Sequence, residues 1–502
     1  MTLALEVTHQ EEPDLQFGPG HQASSPKEGL VSGGPYDLRL GNSHRSEVRL
    51  GLIGTAETIR GMRAFLDRMA AGIQAERSNL ALFPHFPGFE DAYRSRLAYQ
   101  ESADVELSEA DVTRTLALAP RDAFIAAVEL WGQAIDDLTK RELRVDVAIC
   151  CLPKDLVTRC AQVERSLPHS QRKSLREAQK KLDAGWTTLF ESPHIGGEPR
   201  TIEDAANPHP EDLLRRNFRS ALKARAIEAR QPIQLATERL WTDHPRSEDA
   251  ATRAWNLSVA LFYKAGGIPW RADLRVDEAC FVGVSFHHLR TFQKDIVFSS
   301  LAQAFSSDGE GFALRGEAVP YDERRRQPYL TGEKARSLMT TVLDAYRDRT
   351  GRDPLRLVVH KTSDFRPEER EGIAEALAPV PNVQLLTLRS GEFRLLRRGT
   401  YPPHRGTLCR VGPASFLFTV GYQPQHLTYP GPHVPVPLEV LGAGDEIESV
   451  ANDLLCLTKM NWNSARSAAA LPITLSFARK VGGVLSELPP GVDSHPSFRY
   501  YM

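Results

Sequence analysis

The sequence has few of the features that mark secreted, zinc-stabilised or membrane proteins. Its six cysteines form no CxxC pair, which argues against a structural zinc site. Scattered thiols in a long chain are typical of a reducing compartment. The N-terminus lacks the basic start and apolar core of a secretion signal, and no apolar run approaches the ~20 residues of a membrane span. We therefore expect a cytoplasmic protein without a membrane partner.

An excess of charge of either sign is also absent. Lysine and arginine total 62 against 64 aspartates and glutamates, so net charge neither favours nor excludes a nucleic-acid partner. Any basic site must therefore be local. At 502 residues the chain is too long for one ordinary core, and we expect two or three domains.

The order of apolar runs predicts an α/β fold with two domains. Residues 1–45 form a lead-in, predicted as extended over 13–36, which is rich in glycine, proline and serine. Residues 46–270 begin with a buried strand, EVRLGLIGT, followed by a helical pattern, and contain a polar insertion near 161–210. Residues 271–502 open with a second apolar strand, ACFVGVSFHHL, and continue with alternating strands and helices.

A strongly basic segment, RRNFRSALKARAIEAR, spans Arg215–Arg230 within a predicted helix over Glu211–Arg230. On such a helix Arg215, Arg219 and Lys223 would share a face, because they are spaced four residues apart. Like charges on one face repel one another unless an anion lies among them. The segment is therefore either a phosphate site or, as charge runs more commonly are, a solvated surface.

A second segment, FYKAGGIPW, spans Phe262–Trp270. Lys264 ends a predicted helix over Glu248–Lys264, and the two following glycines permit a close approach of the backbone. Taken alone, this pattern indicates a helix C-terminus with a lysine favoured by the helix dipole.

Together, these segments resemble the MID domain of Argonaute proteins, in particular that of the short prokaryotic Argonautes. Lys223 matches the first lysine of the family's pocket for the guide 5′ phosphate, Gln234 in RQPIQ matches its glutamine, and Lys264 matches its last lysine before Gly-Gly-x-Pro-Trp. Arg219 occupies the position that usually holds tyrosine or histidine. This substitution removes a ring that commonly stacks on the first guide base, although a guanidinium can also stack and can bind phosphate.

The second half resembles a PIWI domain with an RNase H-like fold, so the resemblance implies a Rossmann-like MID domain followed by an RNase H-like PIWI domain. Active PIWI domains hold two divalent metals with carboxylates. At three of the four corresponding positions this chain has Ser285, Thr362 and Arg479. The remaining position, a glutamate on a loop, falls near Glu310 or Glu317. The substitutions imply a domain that cannot cut its target.

The chain's last residues, FRYYM, resemble the family's aromatic tail. The resemblance implies that the terminal carboxylate, on Met502, helps to bind Mg²⁺ at the guide 5′ phosphate; simple docking of the tail on the core is the alternative.

The function implied is that of a guide-dependent sensor in prokaryotic defence. It would bind a guide RNA, recognise target single-stranded DNA, and activate an effector protein that carries an APAZ region and a TIR, Sir2 or nuclease domain. A guide-directed nuclease that acts alone is the main alternative. A dinucleotide enzyme is a weaker one, because no G-x-G-x-x-G follows a strand.

Overall fold

The computed structural model describes residues 5–164, 210, 213, 215–244, 247–274, 279–290, 295–305, 311–322, 327–398, 402–429, 434–489, 492 and 497–502. Helices in these ranges span Pro26–Gly33, Ala56–Ala71, Phe89–Tyr93, Glu109–Ala117, Pro120–Thr139, Lys154–Cys160, Phe218–Glu228, Glu238–Trp241, Ala250–Lys264, Gly332–Thr350, Pro367–Ala376, Ile447–Leu457 and Ile473–Leu485. None of these helices combines the length and the apolar composition that a membrane crossing requires.

The first sheet is parallel throughout, as an α/β fold with crossover helices requires. Its central strand Val147–Leu152 is apolar and buried along its whole length, and Glu47–Gly54 beside it is buried from Leu50 onward, because helices cover both sides. In spatial order they are Ile233–Thr237, Val147–Leu152, Glu47–Gly54 and Arg96–Ala98, with Val105–Glu106 paired to the end of Glu47–Gly54. This arrangement confirms the α/β character predicted for the first half.

The second sheet has nine strands. Its centre is Ala279–Arg290, which pairs antiparallel with Asp295–Phe305 and parallel with Arg356–Lys361. The strands continue outward to Gly311–Val319 on one side and Asn382–Ser390 on the other. Three antiparallel strands followed by two parallel ones, in the spatial order 3-2-1-4-5, is the arrangement expected of the RNase H-like prediction. The remaining strands, in order from Asn382–Ser390, are Leu438–Leu441, Ala414–Leu417, Thr407–Val411 and Leu5–His9.

Alternation along the central strands sorts their side chains onto two faces. Cys280, Val282 and Val284 pack towards the helices Gly332–Thr350 and Pro367–Ala376. Phe281 and Val358 face the opposite side, where Ile447–Leu457 and Ile473–Leu485 pack. The second face also belongs to the core that continues into the first half, so one apolar cluster joins the two sheets.

Two local predictions are wrong. The helix predicted over Glu211–Arg230 begins only at Phe218, because Arg215–Asn217 is a strand paired with Gln162–Glu164. Arg215 therefore does not share a helix face with Lys223. The lead-in predicted as extended contains a helix, Pro26–Gly33. Most of the polar insertion predicted near 161–210 lies outside the described residues.

The lead-in is anchored in the second half by buried charges. Glu12 accepts hydrogen bonds from Arg405 Nε at 2.8 Å and lies 2.5 Å from Lys459 Nζ. Lys459 also donates to the carbonyls of Pro13 and Ser24. Burial alone would raise the pKa of Glu12, but Arg405 and Lys459 together hold it below its usual value. The carboxylate therefore fastens the lead-in to the core.

Removing this carboxylate should destabilise the protein. Glu12→Gln leaves Arg405 and Lys459 buried without their counter-ion, which should lower the free energy of unfolding by about 3 kcal/mol or more. Because the folded-state pKa is depressed, this contribution is present above the unfolded pKa of Glu12 and disappears as the pH falls through the folded value. Urea unfolding measures it, with the exposed neighbour Glu11→Gln as control. Equal stability of the two variants at neutral pH would contradict the assignment.

Candidate guide-phosphate site

The basic helix, Phe218–Glu228, carries the first predicted lysine. Asn217 caps its N-terminus by accepting from the backbone N–H of Ser220, which fixes where the helix begins. Lys223 lies in the middle of the helix and is only 2% exposed. Its Nζ has no hydrogen-bond partner among the described residues. Burying an ammonium group without a partner is unfavourable in free energy, so an anionic ligand bound at this atom would stabilise it.

The lysine helix, Ala250–Lys264, ends at the second predicted lysine, which is also 2% exposed. Lys264 Nζ donates to the side-chain oxygen of Gln234 on the adjacent strand. The helix stops there because Gly266 has φ +101°, a conformation that favours glycine, and Gly267 packs so closely on the Phe262 ring that a Cβ would lie 2.3 Å from it. The structure thus brings the predicted lysine and glutamine into contact.

Several cations converge on this site without neutralisation. Burial, and then the charges of Lys264, Arg219 and Lys480, hold the pKa of Lys223 well below its ordinary value. Burial, Arg219 and Lys480 do the same to the pKa of Lys264. The neighbouring thiol of Cys150 stays protonated, because burial raises its pKa to about 12. Arg219 is exposed as a residue, but burial of its guanidinium end among its neighbours lowers the pKa of that group, so the charge is directed towards the cluster.

Lys480 is a member of this cluster that the sequence patterns missed. It lies on Ile473–Leu485, a helix of the second half that packs against the basic helix. The only available signal was its position directly after Arg479 on the last helix. Its proximity to Lys223 depends on the packing of two elements more than 200 residues apart in the ~500-residue chain, which no local pattern reports.

An ion pair fixes the basic helix to the second half beside this cluster. Arg216 Nε donates to Glu487 Oε2 at 2.8 Å, and the backbone N–H of Asn217 donates to Glu487 Oε1 at 3.2 Å. The carboxylate side chain is 2% exposed, and the Arg216 guanidinium also lies over the ring of Phe124. The pair therefore positions the N-terminus of the basic helix relative to the helix that carries Lys480.

A cavity of about 790 Å³ opens next to the cluster. Gln234 lines it together with Arg239, His244, Asn256 and, from the second half, Asn463. Its size is that of pockets that hold small organic ligands. Because Gln234 borders both the cavity and the lysine cluster, a ligand with a phosphate at one end could occupy both.

The C-terminal turn, Phe498–Tyr500, packs against both the basic helix and the lysine helix. Tyr500 donates its hydroxyl to the carbonyl of Arg230 at 3.1 Å, and Met502 is 2% exposed. The tail is therefore docked on the core, which is compatible with both alternatives for this segment. The role of the Met502 carboxylate as a metal ligand stays a prediction.

The positions predicted to be catalytically degenerate come from the second sheet and from a helix that packs on it. Ser285 is on the strand Ala279–Arg290, and Thr362 directly follows the strand Arg356–Lys361. Arg479, of which only the backbone is described, is on the helix Ile473–Leu485, which packs against Ala279–Arg290. Next to them, His360 Nδ1 lies 2.8 Å from Thr474 Oγ1. Burial, and then Arg356, lower the pKa of His360 to about 3, so the imidazole is neutral.

The part of the chain that the structure describes contains no group of three or more histidines, cysteines, aspartates or glutamates that could hold a metal ion. Glu310 lies outside the described residues, as does the side chain of Glu317. The buried Lys361 pairs with Glu369 at 2.5 Å on the opposite face of the sheet.

Comparison with known proteins identifies the fold. No protein-family model and no curated protein matches the sequence. Several solved structures, however, match the fold of this chain. One is Clostridium butyricum Argonaute bound to a guide DNA and a 19-mer target DNA (14% identity, TM-score 0.62, covering 98% of this chain and 54% of that one). Another is Aa-Ago with externally bound siRNA (12% identity, TM-score 0.54, 98% and 56%). A further structure of A. aeolicus Argonaute has 12% identity and a TM-score of 0.53 (97% and 55%). The chain spans about half the length of these proteins.

Removing the unpartnered charge should stabilise the ligand-free protein. An unfolded lysine binds its proton up to pH ~10.4, whereas folded Lys223 releases it at lower pH, so between the two values unfolding takes up a proton and stability rises with pH. At neutral pH, Lys223→Met should raise the free energy of unfolding by about 1–3 kcal/mol. The control is Lys140→Met at an exposed pair with Asp137, where we expect a change within about 0.5 kcal/mol. A less stable Lys223→Met variant would refute the assignment of a strained, unpaired charge.

Proposed function

We propose that this chain, which has the MID–PIWI fold of the Argonaute proteins, binds a short guide by its 5′ phosphate and uses the guide to recognise a complementary strand. Its structural neighbours include an Argonaute bound to a guide DNA and a target DNA, and one with externally bound siRNA. For this chain we propose guide RNA and target single-stranded DNA.

The observation that supports the proposal most strongly is the buried Nζ of Lys223 without a partner, next to Lys264 and Gln234. A terminal phosphate carries a charge of about −1.5 to −2 and three acceptor oxygens. It can therefore accept bonds from both ammonium groups and offset their repulsion. A 5′ hydroxyl can do neither, so the pocket should discriminate between the two ends.

Affinity and specificity would come from different parts of the complex. Phosphate contacts provide sequence-independent affinity, whereas base pairing between guide and target provides specificity. The cavity beside Gln234 is bordered by Asn256 from the first half and Asn463 from the second. We propose that the guide leaves the phosphate pocket along this cavity, between the two domains.

We further propose that the chain does not cut the target. Serine and threonine are weak, neutral ligands at Ser285 and Thr362, and an arginine at position 479 would add positive charge where metal ions are needed. Guide-directed cutting by the chain alone is the competing hypothesis, and it requires a metal site elsewhere.

A sensor without an output of its own needs a second protein. We therefore propose that the chain acts in prokaryotic defence with an APAZ-bearing effector of the TIR, Sir2 or nuclease type. This proposal is supported by the resemblance to short Argonautes and by the substituted PIWI-like positions. Guide and target would activate the effector by binding its active arrangement more tightly, since ligands shift only equilibria on which they act differentially.

Guide loading should depend on the two pocket lysines. Lys223→Ala combined with Lys264→Ala removes two charge-assisted contacts of about 1.5–3 kcal/mol each, so affinity for a 5′-phosphorylated guide should fall by about a hundredfold or more. Affinity for the same guide with a 5′ hydroxyl should fall much less. Lys140→Ala, at an exposed lysine, is the control. Equal losses for both guides would exclude the pocket.

Activity should appear only with a partner. The purified chain with guide, target and Mg²⁺ or Mn²⁺ should leave the target intact. Co-expressed with the protein of the adjacent gene, it should form a stable complex in which NAD⁺ loss or collateral DNA cleavage rises only when both strands are present. Target cutting by the chain alone would support the nuclease hypothesis. An effector whose activity does not change when guide and target are added would contradict the sensor hypothesis.

A further inference from the structure

We propose that this pocket binds the guide 5′ phosphate through four protein cations, Arg219, Lys223, Lys264 and Lys480, without a divalent metal ion. The inference rests on the proposed function and concerns how the same site works. It departs from the Mg²⁺ that the family resemblance implies, because the chemistry of the donor set does not suit that ion.

Magnesium requires about six oxygen ligands in near-octahedral geometry and usually takes one or two from carboxylates. The side-chain oxygen of Gln234 is the evident neutral candidate here, and Lys264 already donates to it. The nearby Cys150 thiol is protonated and is a poor ligand for a hard cation. Across the described residues of the pocket, the oxygen atoms that would attract Mg²⁺ are therefore scarce.

The charged groups around the two lysines also argue against a bound metal ion. Among the described residues, the charged or ionisable groups that act on Lys223 are Lys264, Arg219, Lys480 and Cys150, and those that act on Lys264 are Arg219, Cys150 and Lys480. Neither set contains a carboxylate, and the carboxylate of Met502 is not among them. A metal ion placed here would meet several like charges, and none of the described groups that act on the two lysines is a carboxylate that would offset them.

The protein cations can provide the charge that a metal would bring. A terminal phosphate at about −2 and the first diester at −1 together carry about −3, whereas the four side chains carry up to +4 when protonated. An additional Mg²⁺ would raise the positive total to +6 and restore the repulsion that phosphate binding relieves. Without it, the positive and negative charges nearly balance.

Lys480 is the residue that makes the metal unnecessary. It reaches the cluster from the second domain on the helix Ile473–Leu485, whereas Arg219 and Lys223 come from the basic helix against which that helix packs. The Arg216–Glu487 ion pair beside this contact fixes the two helices relative to each other. The positive charge of Lys480 therefore lies where the two domains meet and takes the place of the charge that a metal ion would provide.

The test compares two guides in two buffers. The full chain is titrated with a 5′-phosphorylated oligonucleotide and with the matched 5′-hydroxyl oligonucleotide, in EDTA and in MgCl₂ at equal ionic strength. The readout is the ratio of the two Kd values, in which the effects of Mg²⁺ on the nucleic-acid backbone cancel. We expect a large preference for the phosphorylated guide that changes by less than about twofold between buffers. A preference that vanishes in EDTA and returns with Mg²⁺ would overturn the inference.

Two further measurements sharpen the result. Lys480→Gln should lower the preference by about tenfold, the equivalent of one charge-assisted contact, whereas Lys140→Gln should not change it. Electron paramagnetic resonance should detect no stoichiometric Mn²⁺ in the complex with phosphorylated guide; one tightly bound ion per chain would contradict the proposal. Absence of any preference in either buffer would instead refute the proposed guide-binding function, so the two failures are distinguishable.

Discussion

Cationic side chains from both halves of the molecule are held together at one point, and their mutual repulsion is the constraint on which the rest of the structure depends. Lys223 and Lys264 are both buried; among the described residues Lys264 donates to the oxygen of Gln234, and Lys223 Nζ has no hydrogen-bond partner. Such a cluster is costly in the free protein. An anionic ligand would offset that cost, which is how a chain without net positive charge would bind the guide proposed for it.

The fold provides the rigidity that this cluster needs. Two capped helices deliver the lysines of the first domain, and a third helix brings Lys480 from the second. One apolar core runs from the first sheet to the second, and the Arg216–Glu487 pair ties the domains beside the pocket. Because both domains contribute residues to the site, binding of a guide end there would affect both, as the proposed function requires.

The sequence was informative where a property is local. Strands such as Val147–Leu152 are continuous apolar runs, and Lys223, Gln234 and Lys264 lie in segments with recognisable spacing. The sequence was misleading or uninformative where contacts between residues far apart in the chain determine the structure. Arg215–Asn217 has a helical composition but pairs with Gln162–Glu164, and Lys480 joins the pocket only through tertiary packing. That the described groups acting on the two lysines include no carboxylate is likewise a property of the folded chain alone.

The most direct measurement of the central claim is an experimental structure of the chain with a 5′-phosphorylated guide. The account predicts the terminal phosphate between Lys223 Nζ and Lys264 Nζ, within hydrogen-bond distance of both, with the next nucleotides in the cavity beside Gln234. A guide whose 5′ end lies elsewhere, with Lys223 still buried and without an anionic partner, would contradict it.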